Sequence, residues 1–352
     1  MENKKVLLGM SGGVDSSVSA LLLKKEGYEP LGITLELFAG SSCCNINTYI
    51  DAKNVCKTIG IPHITYNLKE QFKCRVIDNF IDEYSNQRTP NPCIECNKYM
   101  KFGAMYEKAK ELGCDYIATG HYAKMEYSDE YGKYVLRKAK NLSKDQSYVL
   151  YNMPKQLLGK VLFPLGNFES KEDVRKIAKE HNLSVASKPD SEDICFIPDG
   201  NYKKFLEQNS SIVPKEGNIV NRKGEILGRH TGLYNYTIGQ RKGLGISYKA
   251  PLFVIGFNKE RNEVIVGEQQ ELYRKEMKVN EVNLLLMDKI ERTLDVTVKI
   301  RYASKPAEAI INQTEAGNIQ VIFKEPQRGI TPGQSAVFYI GDVVVGGGKI
   351  QD

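Results

Sequence analysis

The first 120 residues alternate between two hydrophobic periods. "KKVLLGM" is a short, continuous apolar run, the pattern of a strand buried on both faces. "SSVSALLLKKEG" then reads as a helix from Ser16 that stops at Gly27. "PLGITLELF" is a second strand, "TYIDAKNVCKTIG" a second helix and "IPHITYNL" a third strand. Amphipathic helices are predicted over 69–87 and 97–112, and "CDYIATGH" supplies a fourth buried strand. Strands alternating with helices predict an α/β fold with a doubly wound, Rossmann-like parallel sheet. Ligands on such sheets lie beyond the carboxyl ends of the strands, where Met10-Ser11, Leu35 and Gly120-His121 emerge.

The pattern then changes twice. "AKMEYSDEYGKYVLRKAK" reads as a hairpin, and "SKEDVRKIAKEHNL" as a helix with Ser170 and Asp173 as a capping pair. From about residue 206 the glycine- and tyrosine-rich "HTGLYNYTIGQRKGLGI" has no helical period. After 278 the alternation is that of strands, as in Val296, Val298 and Ile300, and it continues through "NIQVIFK" and "QSAVFYIGDVVVGG". Five or six short strands in about 75 residues predict a small β-barrel. The expected organisation is a catalytic α/β section at 1–205, a small central section at 206–278 and the barrel at 279–352.

Composition narrows the class only a little. The 352 residues are 41% hydrophobic and 26% charged, as in ordinary soluble proteins. No apolar stretch is long enough to cross a bilayer, and the apolar run near the N-terminus is too short for a signal peptide. A cytoplasmic location is expected. The net charge is +6, and residues 206–278, with 12 basic and 8 acidic side chains, are the most basic per residue. A nucleic acid would touch this section, but charge alone favours the plainer reading, a solvated basic surface. Eight cysteines without the spacing of a secreted disulfide framework point to a nucleophile, a sulfur carrier or a metal ligand.

The sharpest local signal is Gly9, Met10, Ser11, Gly12, Gly13, Val14, Asp15 and Ser16, which follow a strand and open a helix. Glycines bring backbone N–H groups against phosphate oxygens, and the helix N-terminus adds its positive dipole end. The stretch is neither a Walker loop nor a dinucleotide fingerprint, and it contains no lysine. A glycine turn with a serine cap is the ordinary alternative. Ser11-Gly12-Gly13-Val14-Asp15-Ser16 resembles the SGGxDS loop of the ATP pyrophosphatases. That resemblance implies ATP as the nucleotide, attack at the α-phosphorus and transfer of AMP. Asp15 would help position Mg2+ on the leaving pyrophosphate. A lysine that clamps a transferred γ-phosphate is then unnecessary.

Two cysteine-bearing stretches stand out, "RTPNPCIECNKYMKFG" at 88–103 and "SKPDSEDICFIPDGNY" at 187–202. With "ATGHYA" at 118–123, "LSKDQSYVLY" at 142–151, "YTIGQRKGLGI" at 236–246 and "IRY" at 300–302, nearly the whole chain resembles the tRNA-specific 2-thiouridylases. Those enzymes sulfurate the wobble uridine of certain tRNAs, so the resemblance implies tRNA as substrate and a sulfur donor, a cysteine desulfurase or relay protein. It implies that Cys195 carries a persulfide and Cys96 is its partner, with a Cys96–Cys195 disulfide as by-product. By the same resemblance Asn91, Pro92 and Cys93 line the space around the target base. Lys144, Asp145, Gln146, Arg301, Tyr302 and Gln334 would contact tRNA, and His121 would lie near it. Gly120 and the backbone at Leu35 would border the adenosine.

The residues also leave alternatives. Cys93 stands where the family often has Asp, and Cys93, Cys96 and Cys195 together suit an iron–sulfur cluster that carries the sulfide. Cys96 opens the predicted helix "CNKYMKFGAMYEKAKEL", a position that favours thiolate. Cys56, Cys74 and Cys114 lie in apolar patterns and are expected to pack as small hydrophobes, and Cys43 and Cys44 are undecided. A small-molecule ligase sharing the ATP loop would need neither Cys96 nor Cys195. A non-catalytic, metal-bound RNA-binding module would need no ATP loop.

Overall fold

A computed structural model describes residues 4–38, 46–189 and 194–351. The chain divides into two compact units that are not consecutive in sequence. One comprises residues 1–78, 92–200 and 342–345, the other 79–91, 201–341 and 346–352.

The first unit is built on a parallel sheet. β1 (Lys5–Gly9) leads to α1 (Val14–Lys25), β2 (Glu29–Glu36), α2 (Ile46–Ile59) and β3 (His63–Asn67). α3 (Lys69–Phe72) and α4 (Asp78–Ser85) flank a wide turn at Lys73–Ile77 with π-type winding. The single amphipathic helix expected over 69–87 is thus one helical run with a bulge. α5 (Pro92–Cys96) runs into a second wide stretch, Asn97–Ala104, and on into α6 (Met105–Glu111). β4 (Tyr116–Ala118), the hairpin β5 (Ala123–Ser128) and β6 (Lys133–Lys138), α7 (Ser147–Leu150), β7 (Val161–Leu162) and α8 (Lys171–Glu180) follow.

The sheet order is β3-β2-β1-β4-β7, with every recorded neighbour parallel. Val6, Leu7 and Leu8 of β1 are fully buried because helices cover both faces of a central parallel strand. Val14, Val18, Ala20 and Leu23 of α1 pack into the same core as Val6 and Leu8. α1 ends in a paired backbone cap: Gly27, at φ +85, donates to the Lys24 carbonyl and Tyr28 to that of Leu23. The order of strands along the sheet reverses between β1 and β4, and ligands on such sheets bind beyond the carboxyl ends at that switch point.

The second unit has two β layers. α9 (Tyr202–Asn209) precedes β8 (Gly217–Val220), β9 (Ile226–His230), β10 (Phe253–Asn258) and β11 (Glu263–Gly267), which form a sheet in the order β10-β11-β8-β9. The six strands β12 (Tyr273–Leu284), β13 (Leu294–Lys299), β14 (Ala307–Gln313), β15 (Ile319–Arg328), β16 (Ser335–Ile340) and β17 (Val343–Ile350) follow in order β12-β15-β14-β13-β16-β17. Pairing of β12 with β17 closes them into the expected barrel, filled by Val298, Ile311, Val321, Phe323 and Phe338. Gly346 sits at the seam at φ +151, where a Cβ would lie 2.3 Å from the Asn283 carbonyl oxygen, so only glycine closes the barrel there.

The segment 79–91 belongs with this second unit. Tyr84 stacks on Tyr202 at 4.8 Å, and Phe80 meets Phe205 edge-on at 6.2 Å. Beside them Glu83, 3% exposed, accepts from Arg88 Nε at 2.7 Å and pairs with Lys349 Nζ at 3.1 Å. Replacing Glu83 by Ala removes the one buried carboxylate from two cations and leaves them only the more exposed Asp82 and Glu281. The expected cost is about 3–5 kcal/mol of stability, read as a lower denaturant midpoint with an unchanged slope. A midpoint equal to that of the parent chain would show that the carboxylate is not the anchor.

Candidate nucleotide and thiol site

The loop between β1 and α1 lies at the switch point. Its backbone continues the sheet, since Met10 N–H donates to the Ile33 carbonyl at 2.8 Å, while the Thr34 hydroxyl donates to the Met10 carbonyl at 2.9 Å. Gly12 takes φ +64, and a Cβ there would stand 2.6 Å from the Thr48 carbonyl oxygen. Gly13 is the N-cap and has no side chain to cap the helix; the first intrahelical bond runs from Ser17 N–H to the Gly13 carbonyl. The N–H groups of Val14, Asp15 and Ser16 precede that bond and have no helical acceptor, which suits them to an anion. Ser11 N–H donates to Ser16 Oγ at 3.2 Å, which fixes the curl of the loop.

Gly120 completes the wall from the end of β4. A Cβ at Gly120 would fall 2.8 Å from Ser16 N, so the chain passes directly against the helix start. Tyr122 follows, its hydroxyl donating to Asp15 Oδ1 at 2.8 Å. Leu35 lies near the end of β2, in register with Tyr66.

The loop has no lysine of its own, and two arrive from elsewhere in the chain. Lys171, the first residue of α8 and nearly buried, donates to Asp15 Oδ1 at 2.6 Å and bonds Oδ2 as well. Lys188 donates to the Gly12 carbonyl at 2.9 Å and pairs with Asp51 at 2.7 Å. Sequence reasoning missed both. Lys171 did leave a signal: a cation in the first turn opposes the helix dipole, a local misfit that hints at a distant partner. Lys188 lay inside a quoted motif without being singled out.

Of the thiols, Cys96 is buried and Cys195 half-buried. Phe196, beside Cys195, packs on Phe72 of α3 at 5.7 Å, and the wide turn after α3 packs against α5, which carries Cys96. Both cysteines therefore belong to one region of the first unit. One expectation is corrected. The helical run begins at Pro92, whose preset φ and missing N–H suit the first position, so Cys96 lies a turn inside it and does not open it. The first-turn cysteine is Cys93, which is exposed to water yet has enough protein around it that desolvation raises its thiol pKa, opposed by the charge of Lys101.

Cys56 packs in the core, and burial pushes its thiol up to about 11. Cys74 is exposed and Cys114 half-buried, so neither is the closed hydrophobe expected. Cys43 and Cys44 lie outside the described residues. Among the described residues, no three Cys, His, Asp or Glu side chains converge to hold a metal. Cys93, Cys96 and Cys195 are not drawn together into such a group here.

The expected base and tRNA contacts divide between the units. In the first, Pro92 is buried, Lys144 is exposed, and Asp145 is buried with its carboxylate accepting from Ala139 N–H and the Ser147 hydroxyl. Gln146 accepts from Tyr122 N–H at 2.9 Å, so Asp145 and Gln146 shape the loop that presents Lys144. In the second, Arg301 donates to the Gly329 carbonyl at 2.7 Å, and Tyr302 is exposed beneath the Lys299 ammonium. Gln334 donates to the Thr89 carbonyl at 2.8 Å, which holds the segment that leads to Asn91. His121 is buried, and burial, reinforced by Lys101, lowers its pKa well below 6.5, so the ring is neutral.

Comparison with known proteins agrees along the chain. Residues 4–199 match the family model described as the tRNA methyl transferase HUP domain, 203–268 the tRNA methyl transferase PRC-barrel domain, and 274–350 the Aminomethyltransferase beta-barrel domain. The chain is 48% identical over 356 residues to the tRNA-specific 2-thiouridylase MnmA of Clostridioides difficile, covering 99% of this chain and 98% of that one. It is 48% identical over 360 residues to the protein of that name from Acetivibrio thermocellus, covering all of both. For the one from Caldicellulosiruptor saccharolyticus the identity is 50% over 357 residues, 99% of this chain and 98% of that one. Among solved structures, the U34-tRNA thiolase NcsA from Methanococcus maripaludis covers 60% of this chain and 69% of its own, at 19% identity and a TM-score of 0.38.

Lys171→Met removes a cation from the loop and leaves Asp15 with only the Tyr122 hydroxyl. Affinity for ATP, measured by calorimetry, is expected to fall by about tenfold to a hundredfold, the worth of a charge-assisted hydrogen bond. Unchanged affinity would mean that Lys171 serves the fold alone.

Proposed function

The chain belongs to the tRNA-specific 2-thiouridylase family, and we propose that it makes 2-thiouridine at the wobble position of tRNA by adenylating the uracil C2 oxygen and then displacing AMP with persulfide sulfur. What carries this reading is the end-to-end agreement: three family models in order over 4–350, and about half of all residues identical to full-length relatives.

The chemistry follows from a poor leaving group. The C2 carbonyl of uracil is urea-like, and its oxygen does not depart unaided. In the first step O2 bonds to the α-phosphorus, the bond from that phosphorus to the bridging oxygen breaks, and pyrophosphate leaves; the N3 proton goes to solvent. In the second, the terminal sulfur of a Cys195 persulfide bonds to C2, the C2–O2 bond breaks and AMP departs. Cys96 thiolate then attacks Cys195 Sγ, and the transferred sulfur leaves on the base with the electron pair. The resulting Cys96–Cys195 disulfide is returned to two thiols by a dithiol reductant, and a cysteine desulfurase or sulfur relay reloads Cys195. That cycle needs a reducing compartment, which fits the cytoplasm.

Within the first unit the loop Gly9–Ser16, Gly120 and the backbone at Leu35 would hold ATP. Mg2+, when bound, would neutralise the leaving pyrophosphate; Asp15 suits it as a single carboxylate that the Lys171 and Tyr122 bonds already orient. No step is routed through an iron–sulfur cluster. Residues 1–205 would serve catalysis, with 206–278 and 279–352 engaging tRNA. A stacked wobble base must be splayed out to reach the thiols, and Asn91, Pro92 and Cys93 are assigned to its surroundings. Lys144, Arg301, Tyr302 and Gln334 are assigned to the RNA, with Asp145 and Gln146 supporting Lys144; His121, buried with both ring nitrogens bonded, is assigned to the interior near it.

Purified chain with ATP, Mg2+, a persulfide donor and unmodified tRNA should yield 2-thiouridine, read by mass spectrometry of digested tRNA. Cys195→Ala should abolish product while tRNA affinity stays within about twofold, since a thiol contributes little to RNA binding. Product formed by Cys195→Ala at the parent rate would overturn the sulfur route.

A further inference from the structure

The Lys101 ammonium bears on both Cys93 and His121. It lies in the wide run Asn97–Ala104, five positions after Cys96. In π-type winding backbone bonds link residues five apart, as Met105 N–H donates to the Met100 carbonyl, so residues at that spacing lie nearly above one another. Lys101 is therefore on the face of the helix that carries Cys96. In a regular α-helix it would be turned well away.

Its partner fixes where it points. Lys101 Nζ stands 3.3 Å from His121 Nε2. An ammonium only donates, so Nε2 is the accepting nitrogen, and the ring proton sits on Nδ1, which donates to Thr119 Oγ1 at 2.7 Å. The imidazole is wedged against Phe102 and Phe163, with ring centroids at 6.4 and 6.2 Å, so its orientation is set by packing. His121 is thus a fixed, uncharged acceptor: it aims the ammonium without cancelling its charge. The residue before it, Gly120, abuts Asp15 and Ser16 of the phosphate loop. The Lys101 ammonium thus reaches from the cysteine helix to the residue after Gly120, where the end of β4 abuts the nucleotide loop.

We propose that Lys101 is a catalytic residue of the adenylation step, its ammonium bonding an α-phosphoryl oxygen as uracil O2 attacks, with His121 and Thr119 as positioning residues. The proposal rests on the function proposed above. Lys171 and Lys188 bond the loop itself, at Asp15 and Gly12, whereas Lys101 approaches from the side of β4 beside Gly120, and the α-phosphorus is where O2 and the departing oxygen share charge. A donor placed there in advance acts on the transition state more than on bound ATP. Lys101 keeps its protons throughout, so the balance of the step is unchanged.

The test isolates adenylation. In a Cys195→Ala parent, tRNA-dependent exchange of labelled pyrophosphate into ATP reports the first step without sulfur transfer. Lys101→Met is expected to lower that exchange by about a hundredfold or more, while the dissociation constants for ATP and tRNA change by less than about threefold. Lys101→Arg should recover about a tenth of the parent rate, and His121→Gln, whose amide oxygen still accepts, should fall between them. Retained tRNA affinity also reports that each variant is folded; should Lys101→Met fail to fold, Lys101→Gln carries the same expectation. Exchange at the parent rate in the Lys101 variants, or a loss matched by weaker ATP binding, would overturn the assignment. No exchange in the parent itself would overturn adenylation, and this proposal with it.

Discussion

A nucleotide triphosphate is strongly anionic, and the loop proposed to receive it offers only backbone N–H groups and serine hydroxyls. Positive charge must therefore be brought to it by the fold. Lys171 comes from the first turn of α8 and Lys188 from the segment after that helix, and each is held by an acidic side chain next to the glycines. Each charge-assisted bond is worth about 1.5–3 kcal/mol, so a site of this kind binds only once the sheet and α8 have come together. Phosphate recognition here depends on tertiary structure. This distinguishes it from a loop whose own lysine travels with it.

The same dependence decides how much of the site was legible in the sequence. β1, the glycine turn and α1 were readable because a buried parallel strand, a turn that demands glycine and an apolar helix each leave a local pattern. The barrel was readable from alternation such as Val296, Val298 and Ile300, which are all buried. Lys171, Lys188 and Lys101 were not, since each acts on a group 20 to 176 positions away and a lone lysine has no periodicity. The segment 79–91 was read as part of a first-section helix, yet its Phe80 and Tyr84 pack against α9, and hydrophobic period alone cannot say which neighbour an amphipathic face meets.

The wide helical runs were the other blind spot. The residues of Asn97–Ala104 have an ordinary helical pattern, and nothing in their types announces an extra residue per turn. Tertiary bonds accompany it: Asn97 Nδ2 donates to the Val149 carbonyl at 2.8 Å in the buried interior. The consequence is chemical. Winding by five brings Lys101 round to the face of Cys96, and starting the run at Pro92 moves Cys96 off the helix end, so an ammonium, not a helix dipole, is the positive group on that side. Neutral His121 holds that ammonium in place.

The central claim is that the oxygen displaced from uracil leaves on AMP. It can be followed as an atom. With tRNA carrying oxygen-18 at C2 of the target uridine, a single turnover should place one heavy oxygen in the phosphoryl group of each AMP for each 2-thiouridine formed, read by mass spectrometry. Heavy oxygen found in water or pyrophosphate, with AMP unlabelled, would contradict the account.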